Sequence, residues 1–189
     1  MFSKSLAFAA LLLATPVLAE GDGPGPNLVI EVTGVANGTV VIDLNIDGAP
    51  KHVAQIVALA QAGAYDGVVF HRVIDGFMAQ TGDVQYGKAG GDTSMAGMGG
   101  SDLPDIEAEF STTLTFDRGT VGMARAQNPD SANSQFFIMF APGDFLDGQY
   151  TILGQVISGM EVVDAIKRGE GDNGEVTTPD VMTKVTVTE

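Results

Sequence analysis

The chain has 189 residues, a formal net charge of −15 at pH 7 and no cysteine. The absence of thiols excludes disulfides, zinc–thiolate sites and cysteine nucleophiles. The strong negative charge argues against partners with phosphate backbones or anionic headgroups, so we expect no nucleic-acid binding. With only two histidines, most acid–base and metal chemistry lacks its usual side chains, and we expect neither a metal nor a cofactor.

Residues 1–19 are predicted to be a secretory signal peptide. Lys4 supplies the positive start, and the apolar run from Leu6 to Leu18 is too short to span a bilayer comfortably. The small residues Val17 and Ala19 fit a cleavage site. The alternative, an uncleaved membrane anchor, is disfavoured by the short apolar run. We therefore expect a periplasmic protein without stable membrane association, with secretion into the medium as the less favoured outcome.

After the cleavage site, residues 20–26 form a spacer rich in glycine and proline, and residues 27–189 have the size of one domain. β-branched runs predict eight strands, and apolar residues at helical spacing predict two helices. The predicted strands cover residues 28–32, 38–44, 68–73, 77–81, 120–124, 136–140, 151–156 and 181–187, and the predicted helices begin at Pro50 and at Met160, the second ending at Arg168. This pattern indicates a mainly β fold, an antiparallel barrel closed against edge exposure and capped by helices.

The glycine-rich stretch 86–106 shows almost no periodicity and is predicted to be a long loop. It could be a flexible surface excursion or one wall of a binding groove. We favour the groove wall slightly, because long loops in compact domains tend to carry function.

The run from Tyr65 to Asp83 is the first that carries chemistry. Strand alternation on either side of a tight turn predicts that Phe70 and Arg72 share one face, and that Phe77 and Ala79 share another. Holding a cation beside exposed apolar side chains costs free energy, and a purely structural hairpin does not need such an arrangement. The run therefore indicates a binding or catalytic surface.

Two further runs, 119–126 with 133–138 and 145–150, could each be an ordinary strand or turn when taken alone. Across the whole chain, the motifs in order are Ala49-Pro50-Lys51, Tyr65-Asp66-Gly67, Phe70-His71-Arg72-Val73-Ile74, Gly76-Phe77-Met78, Gln80, Gly122-Met123-Ala124, Ser134-Gln135-Phe136-Phe137-Ile138 and Leu146-Asp147-Gly148. In this order and spacing they resemble the cyclophilin family over essentially the whole chain from Asn27 onward. The resemblance implies a closed eight-stranded antiparallel β-barrel with two capping helices and a peptidyl-prolyl cis/trans isomerase activity.

The resemblance also implies roles for individual residues. Arg72 matches the catalytic arginine, and Gln80 matches the glutamine that steadies it and contacts the peptide. The implied substrate-binding residues are His71 beside the groove, Phe77, Met78, Phe136 and Leu146 around the proline ring, and Ala124, Arg125 and Gln135 along the peptide backbone. The implied partners are proline-containing unfolded or partly folded polypeptides, bound by a monomer.

Three substrate-binding positions depart from the residues common in the family. Phe145 stands where many eukaryotic members have tryptophan, Tyr150 where they have histidine, and Arg125 where asparagine is frequent. Losing the indole N–H removes a donor for inhibitors of the cyclosporin type, so we expect weak inhibition with catalysis retained. Arg125 is expected to change the charge of the rim more than the mechanism.

Two other kinds of function remain open at this level. A binding module or holdase of the same fold would capture proline-containing segments without turnover, although it would have no need for Arg72. A carbohydrate-binding barrel has little support, because the chain has no tryptophan on which a sugar could stack.

Overall fold

The computed structural model describes residues 22–189. The predicted signal peptide and the start of the spacer lie outside the described residues. Within residues 22–189, no helix has the length and apolar character needed to cross a membrane.

Nine strands and two α-helices make up the fold. The strands are β1 (Asn27–Thr33), β2 (Gly38–Leu44), β3 (Val68–Val69), β4 (Arg72–Ile74), β5 (Met78–Thr81), β6 (Thr120–Met123), β7 (Phe136–Met139), β8 (Ile152–Ser158) and β9 (Val181–Thr188), and the helices are α1 (Pro50–Gln61) and α2 (Met160–Ala165). All strand pairs are antiparallel, and they form one sheet in the order β3-β9-β1-β2-β8-β6-β7-β5-β4. The chain is therefore mainly β, as predicted.

The sheet is a curled half-barrel of nine strands, which corrects the prediction of a closed barrel of eight. The predicted strand 68–73 breaks into β3 and β4, which lie at opposite ends of the strand order. At the break, the Phe70 N–H donates to the Asp180 carbonyl at 2.9 Å, and the His71 carbonyl accepts from the Val176 N–H at 3.1 Å. Because these backbone groups bond outside the strand ladder, β3 and β4 do not continue as one closing strand.

Two apolar clusters lie on the two faces of the sheet. The larger one includes the buried face of α1, with Val53, Ile56 and Ala60. The smaller cluster contains Met78, Phe116, Phe137, Met139, Leu146 and Ile152. This second cluster is the floor of the site described below.

Helix α2 ends three residues earlier than predicted, at Ala165 rather than Arg168. Ile166 adopts an extended backbone with φ −56° and ψ 131°. The next N–H, that of Lys167, then donates to the buried Asp180 carboxylate at 2.7 Å instead of continuing the helix. Tertiary hydrogen bonding therefore overrides the helical pattern at this end.

The pairing of β4 with β5 separates the core from the site. Val73 lies opposite Ala79, and both are buried in the larger cluster. Arg72 lies opposite Gln80 on the other face. Phe70 belongs to the larger cluster, so the prediction that it shares a face with Arg72 is wrong, because the strand breaks between them.

The predicted face of Phe77 is wrong as well. Phe77 lies in the turn before β5, where strand alternation does not apply. Its ring packs against the smaller cluster that holds Met78, whereas Ala79 faces the larger one. The turn thus delivers Phe77 to the same side of the sheet as Arg72.

Candidate active site

A cavity of about 420 Å³ opens beside β4 and β5. We call it the proline cavity, because the family resemblance implies that residues lining it hold the proline ring of the substrate. Its lining residues are Arg72, Phe77, Met78, Gln80, Ala124, Arg125, Phe137, Phe145, Leu146, Gln149 and Tyr150. The structure thus brings together residues from four separate stretches of the chain, including nine of the twelve predicted site residues.

The floor of the proline cavity is apolar and rigidly packed. Met78, Phe137 and Leu146 are buried, and Phe137 stacks on Phe116 with ring centroids 5.8 Å apart. Tyr150 meets the Phe137 ring edge-on at 5.9 Å. Such a floor is suited to a small saturated ring, since it offers apolar contact area in a fixed shape.

Phe136 does not line the proline cavity, and the prediction for it is wrong. Its side chain has no exposed area and meets Tyr65 edge-on, with ring centroids 5.8 Å apart, inside the larger cluster. Its neighbour Phe137 takes the predicted place. Alternation along β7 could have shown this, because residues two apart share a face and Gln135 belongs to the site.

A chain of side-chain hydrogen bonds holds Arg72 at the edge of the floor. Arg72 Nη1 donates to Gln80 Oε1 at 3.2 Å, and Gln80 Nε2 donates to Gln135 Oε1 at 2.9 Å. Arg72 Nε donates to the carbonyl of Asn173 at 3.0 Å. Burial lowers the pKa of Arg72 from its ordinary value and Tyr150 opposes that shift, but a guanidinium remains charged at neutral pH.

The far end of this chain rests on the glycine-rich loop. Gln135 Nε2 donates to the carbonyls of Gly97 and Gly99 at 3.0 and 2.7 Å. The hydrogen bonds therefore run from Arg72 through Gln80 and Gln135 to loop backbone. We call this set the arginine support.

Asp83 anchors the loop, and sequence analysis gave it no role. Its carboxylate is fully buried and accepts from four backbone N–H groups, those of Gln85, Tyr86, Gly97 and Gly99, at 2.7 to 3.0 Å. Hydrogen bonds of this kind satisfy a carboxylate that would otherwise be costly to bury. Its position three residues before the glycine-rich stretch 86–106 was the only sequence signal.

His71 does not line the proline cavity. It lines a neighbouring cavity of about 480 Å³, which Arg72 and Gln80 also line. Its ring is buried, and within the described residues neither ring nitrogen has a hydrogen-bond partner. Burial lowers the pKa of His71 to about 4, against an opposing effect of Asp83. His71 is therefore neutral at pH 7.

The His71 ring also restricts the loop that packs against it. A Cβ at Gly97, where φ is +99°, would stand 3.1 Å from the ring, so this loop position requires glycine.

The outer rim of the proline cavity carries the three positions that depart from the common family residues. Phe145 is 65% exposed and contacts Phe77 with ring centroids 5.5 Å apart. The Arg125 guanidinium lies over the Tyr150 ring, 4.4 Å from its centroid. Beside them, the Ala124 N–H donates to the Gln135 carbonyl at 2.9 Å, which joins the rim to the arginine support.

No group of three or more metal-ligating side chains occurs within residues 22–189. The proline cavity itself offers the guanidinium groups of Arg72 and Arg125, the amides of Gln80 and Gln149, the Tyr150 phenol and an apolar floor. Such a set can bind and polarise an uncharged group, but it holds no nucleophile and no general base near neutral pH.

Comparison with known proteins identifies the family of the chain. A family model described as "Cyclophilin type peptidyl-prolyl cis-trans isomerase/CLD" matches residues 28–187. A probable peptidyl-prolyl cis-trans isomerase of Brucella suis is 53% identical over 184 residues, covering 96% of this chain and 92% of the relative. Peptidyl-prolyl cis-trans isomerase 10 of Caenorhabditis elegans is 39% identical over 138 residues, covering 72% of this chain and 81% of the relative.

Solved structures share the fold. A cyclophilin-type isomerase from Cryptosporidium parvum, crystallised in the presence of the dipeptide Ala-Pro, superposes with a TM-score of 0.72 at 25% identity, covering 86% of this chain and 99% of that one. A cyclophilin from Hirschia baltica gives a TM-score of 0.71 at 26% identity, covering 87% and 74%. The sequence match and the shared fold lead to one conclusion: the chain belongs to the cyclophilin family and is a peptidyl-prolyl cis-trans isomerase.

Proposed function

We propose that this enzyme accelerates X-Pro bond rotation in exported polypeptides as they fold, by stabilising the twisted amide without a covalent step. The observation that carries the proposal is the arginine support, which fixes the Arg72 guanidinium beside the apolar floor through Gln80 and Gln135. The remaining steps follow from the chemistry of the amide.

Rotation about an X-Pro bond breaks amide resonance and faces a barrier of about 18–20 kcal/mol. In the twisted state the prolyl nitrogen becomes pyramidal and carries a lone pair that neither planar form has. A donor aimed at that lone pair stabilises the transition state more than the ground state, which is the requirement for catalysis. Arg72 suits this role because its fork is rigid and stays charged.

The apolar floor supplies the second half of the mechanism. Met78, Phe137 and Leu146 would hold the pyrrolidine ring while the carbonyl of the preceding residue swings. When the ring on one side of the bond is held in place, the other side can rotate only about the axis of that bond. Gln80 and Gln135 keep the guanidinium in place, and Gln80 faces the cavity where it can also contact the peptide backbone.

The exported setting is a part of the proposal that rests on the sequence. The signal-peptide pattern of residues 1–19 supports a periplasmic enzyme without stable membrane association after cleavage. Cell fractionation of the full chain, with amino-terminal sequencing of the recovered protein, tests this part. A product starting at Glu20 in the periplasmic fraction is expected, and a full-length cytoplasmic product would refute it.

The catalytic proposal is tested with Arg72→Ala in a refolding assay limited by proline isomerisation. In that assay the variant is expected to accelerate refolding far less than the wild type. In a separate peptide assay, its kcat/KM is expected to fall by about 10²–10³-fold, the size typical of a lost electrostatic donor. Arg118→Ala is the matched control, because Arg118 pairs with Asp164 on another part of the surface. The control is expected to retain full activity.

The same assay separates the enzyme from a holdase. A holdase would bind proline-containing segments equally well with or without Arg72 and would not accelerate refolding. Equal acceleration by the wild type and Arg72→Ala, or none by either, would refute the mechanism.

A further inference from the structure

The proline cavity is positively charged although the protein is strongly acidic. Its lining includes Arg72 and Arg125 but no aspartate or glutamate, in a chain with a net charge of −15. Each of the two flanking cavities shares one of these arginines but adds a carboxylate, Asp105 beside Arg125 on one side and Glu175 beside Arg72 on the other. Positive charge is thus concentrated where the proline and its immediate neighbours would lie.

The two cavity arginines are also uncompensated. Arg118 and Arg168 pair with Asp164 and Asp75, whereas within residues 22–189 neither Arg72 nor Arg125 has a carboxylate within salt-bridge distance. Both donate to neutral groups instead. Their charge therefore remains available to a bound molecule.

Arg125 is held in place by its own hydrogen bonds. Its Nε and Nη2 atoms donate to the Gln149 carbonyl at 3.3 and 3.1 Å, and Nη1 donates to the carbonyls of Ala126 and Gln127 at 2.9 and 3.4 Å. With the guanidinium 4.4 Å above the Tyr150 ring, these bonds fix its orientation at the rim. A guanidinium has five N–H donors, so at least one remains for a ligand.

We propose that Arg125 is a specificity-determining residue that favours substrates with aspartate or glutamate directly next to the proline. The inference rests on the proposed function. A carboxylate on a neighbouring residue would reach the rim arginine with no acidic side chain beside it, whereas one placed farther along the peptide would also meet Asp105 or Glu175, whose negative charge offsets the arginine there. A lysine next to the proline would face two cations and be disfavoured.

The net charge of the protein does not cancel this preference at physiological salt. The Debye length is about 8 Å at 0.15 M ionic strength, so distant surface carboxylates are screened while the rim arginine acts at contact distance. An exposed ion pair is worth little, and a two- to fivefold effect on kcat/KM is expected. The effect should shrink toward zero at 1 M salt, where the Debye length is about 3 Å.

The test measures kcat/KM at 0.15 M salt for matched peptides with glutamate, glutamine or lysine, first before and then after the proline. In at least one of the two positions the wild type is expected to prefer glutamate over glutamine two- to fivefold and to disfavour lysine. Arg125→Gln should bring the glutamate-to-glutamine ratio toward one, while Arg125→Lys should retain it. Lys51→Gln, which removes the same charge from an exposed residue, is expected to leave the ratio unchanged.

The same measurements distinguish an error in the specificity inference from an error in the proposed function. If the glutamine peptide is isomerised but the ratio is one in the wild type, or survives in Arg125→Gln, the specificity role is refuted and the enzyme proposal stands. If Arg125→Gln does not fold, the wild-type ratio in 1 M salt decides, and a ratio that does not fall refutes the inference. A glutamine peptide that is not isomerised at all refutes the proposed function instead.

Discussion

The two halves of the active site are built in different ways. The floor consists of side chains on the neighbouring strands β5 and β7 and on a short 3₁₀ helix, Asp144–Leu146, and its shape follows from sheet register and packing. The arginine support consists of polar side chains whose last contacts are carbonyls of Gly97 and Gly99, on a loop anchored by Asp83. The floor therefore depends on the core, whereas the position of Arg72 depends on a loop that contributes little apolar packing.

This difference predicts that the two halves fail differently. Damage to the core or the floor should lower the free energy of unfolding, and damage to the floor should in addition raise KM for proline peptides. Damage to the loop should lower kcat/KM in a protein that remains folded. Three experiments test the comparison.

The largest effect is expected from a pair of adjacent phenylalanines. Phe136→Ala should lower the free energy of unfolding by about 3–5 kcal/mol, because it empties a fully buried site in the larger cluster. Phe137→Ala also removes a buried ring and so lowers stability, but it opens the floor of the proline cavity as well, so it alone should raise KM for proline peptides strongly. Urea unfolding and steady-state kinetics on both variants measure the two quantities.

The contrast between the two variants is the decisive point. Phe136→Ala is expected to retain a nearly normal KM at a temperature where it stays folded. If Phe136→Ala raised KM as much as Phe137→Ala, the assignment of Phe137 to the cavity would be wrong.

An intermediate effect is expected at Asp83. Asp83→Asn replaces one acceptor oxygen by a donor, so two of the four loop N–H groups lose their partner. The loop carbonyls that hold Gln135 should then become mobile, and kcat/KM should fall about tenfold with a modest loss of stability. Hydrogen exchange at the Gly97 and Gly99 amides, measured beside kcat/KM, follows the loop directly.

Asp92→Asn is the control for this substitution, since Asp92 lies on the same loop and bonds only to neighbouring Ser94. It should leave both exchange and turnover unchanged. Unaltered turnover in Asp83→Asn, despite faster exchange at the loop amides, would show that the arginine support does not need the loop.

The smallest effect is expected at the exposed rim. Phe145→Trp restores an indole N–H beside Phe77, which should strengthen inhibition by cyclosporin about tenfold, roughly the value of one hydrogen bond. The kcat/KM for a proline peptide should change less than twofold, since Phe145 is mostly exposed and lies outside the packed floor. Inhibition titrations on the wild type, Phe145→Trp and Phe145→Leu measure the change, and an equal gain in Phe145→Leu would exclude the indole N–H as its cause.

Much of the site was predictable because its residues lie in short runs with clear patterns. Arg72 and Gln80 come from one run, and the structure pairs them across β4 and β5 and joins their side chains by a hydrogen bond. The exchange of Phe136 for Phe137 was an error of alternation that the position of Gln135 could have corrected. Asp83 and Gly97 could not be assigned, since a buried carboxylate and a contact-limited glycine are recognised only from what surrounds them.

The sequence by itself determined the mainly β composition, the two helices, the positions of most strands and the family of the chain, because these follow from local periodicity and short motifs. Only the tertiary structure decided that the sheet stays open between β3 and β4, since the backbone at Phe70 and His71 bonds to the segment 176–180. It also decided that the loop supports Arg72 and that Arg125 lies over Tyr150. Those contacts join residues far apart in the chain, and no local pattern specifies them.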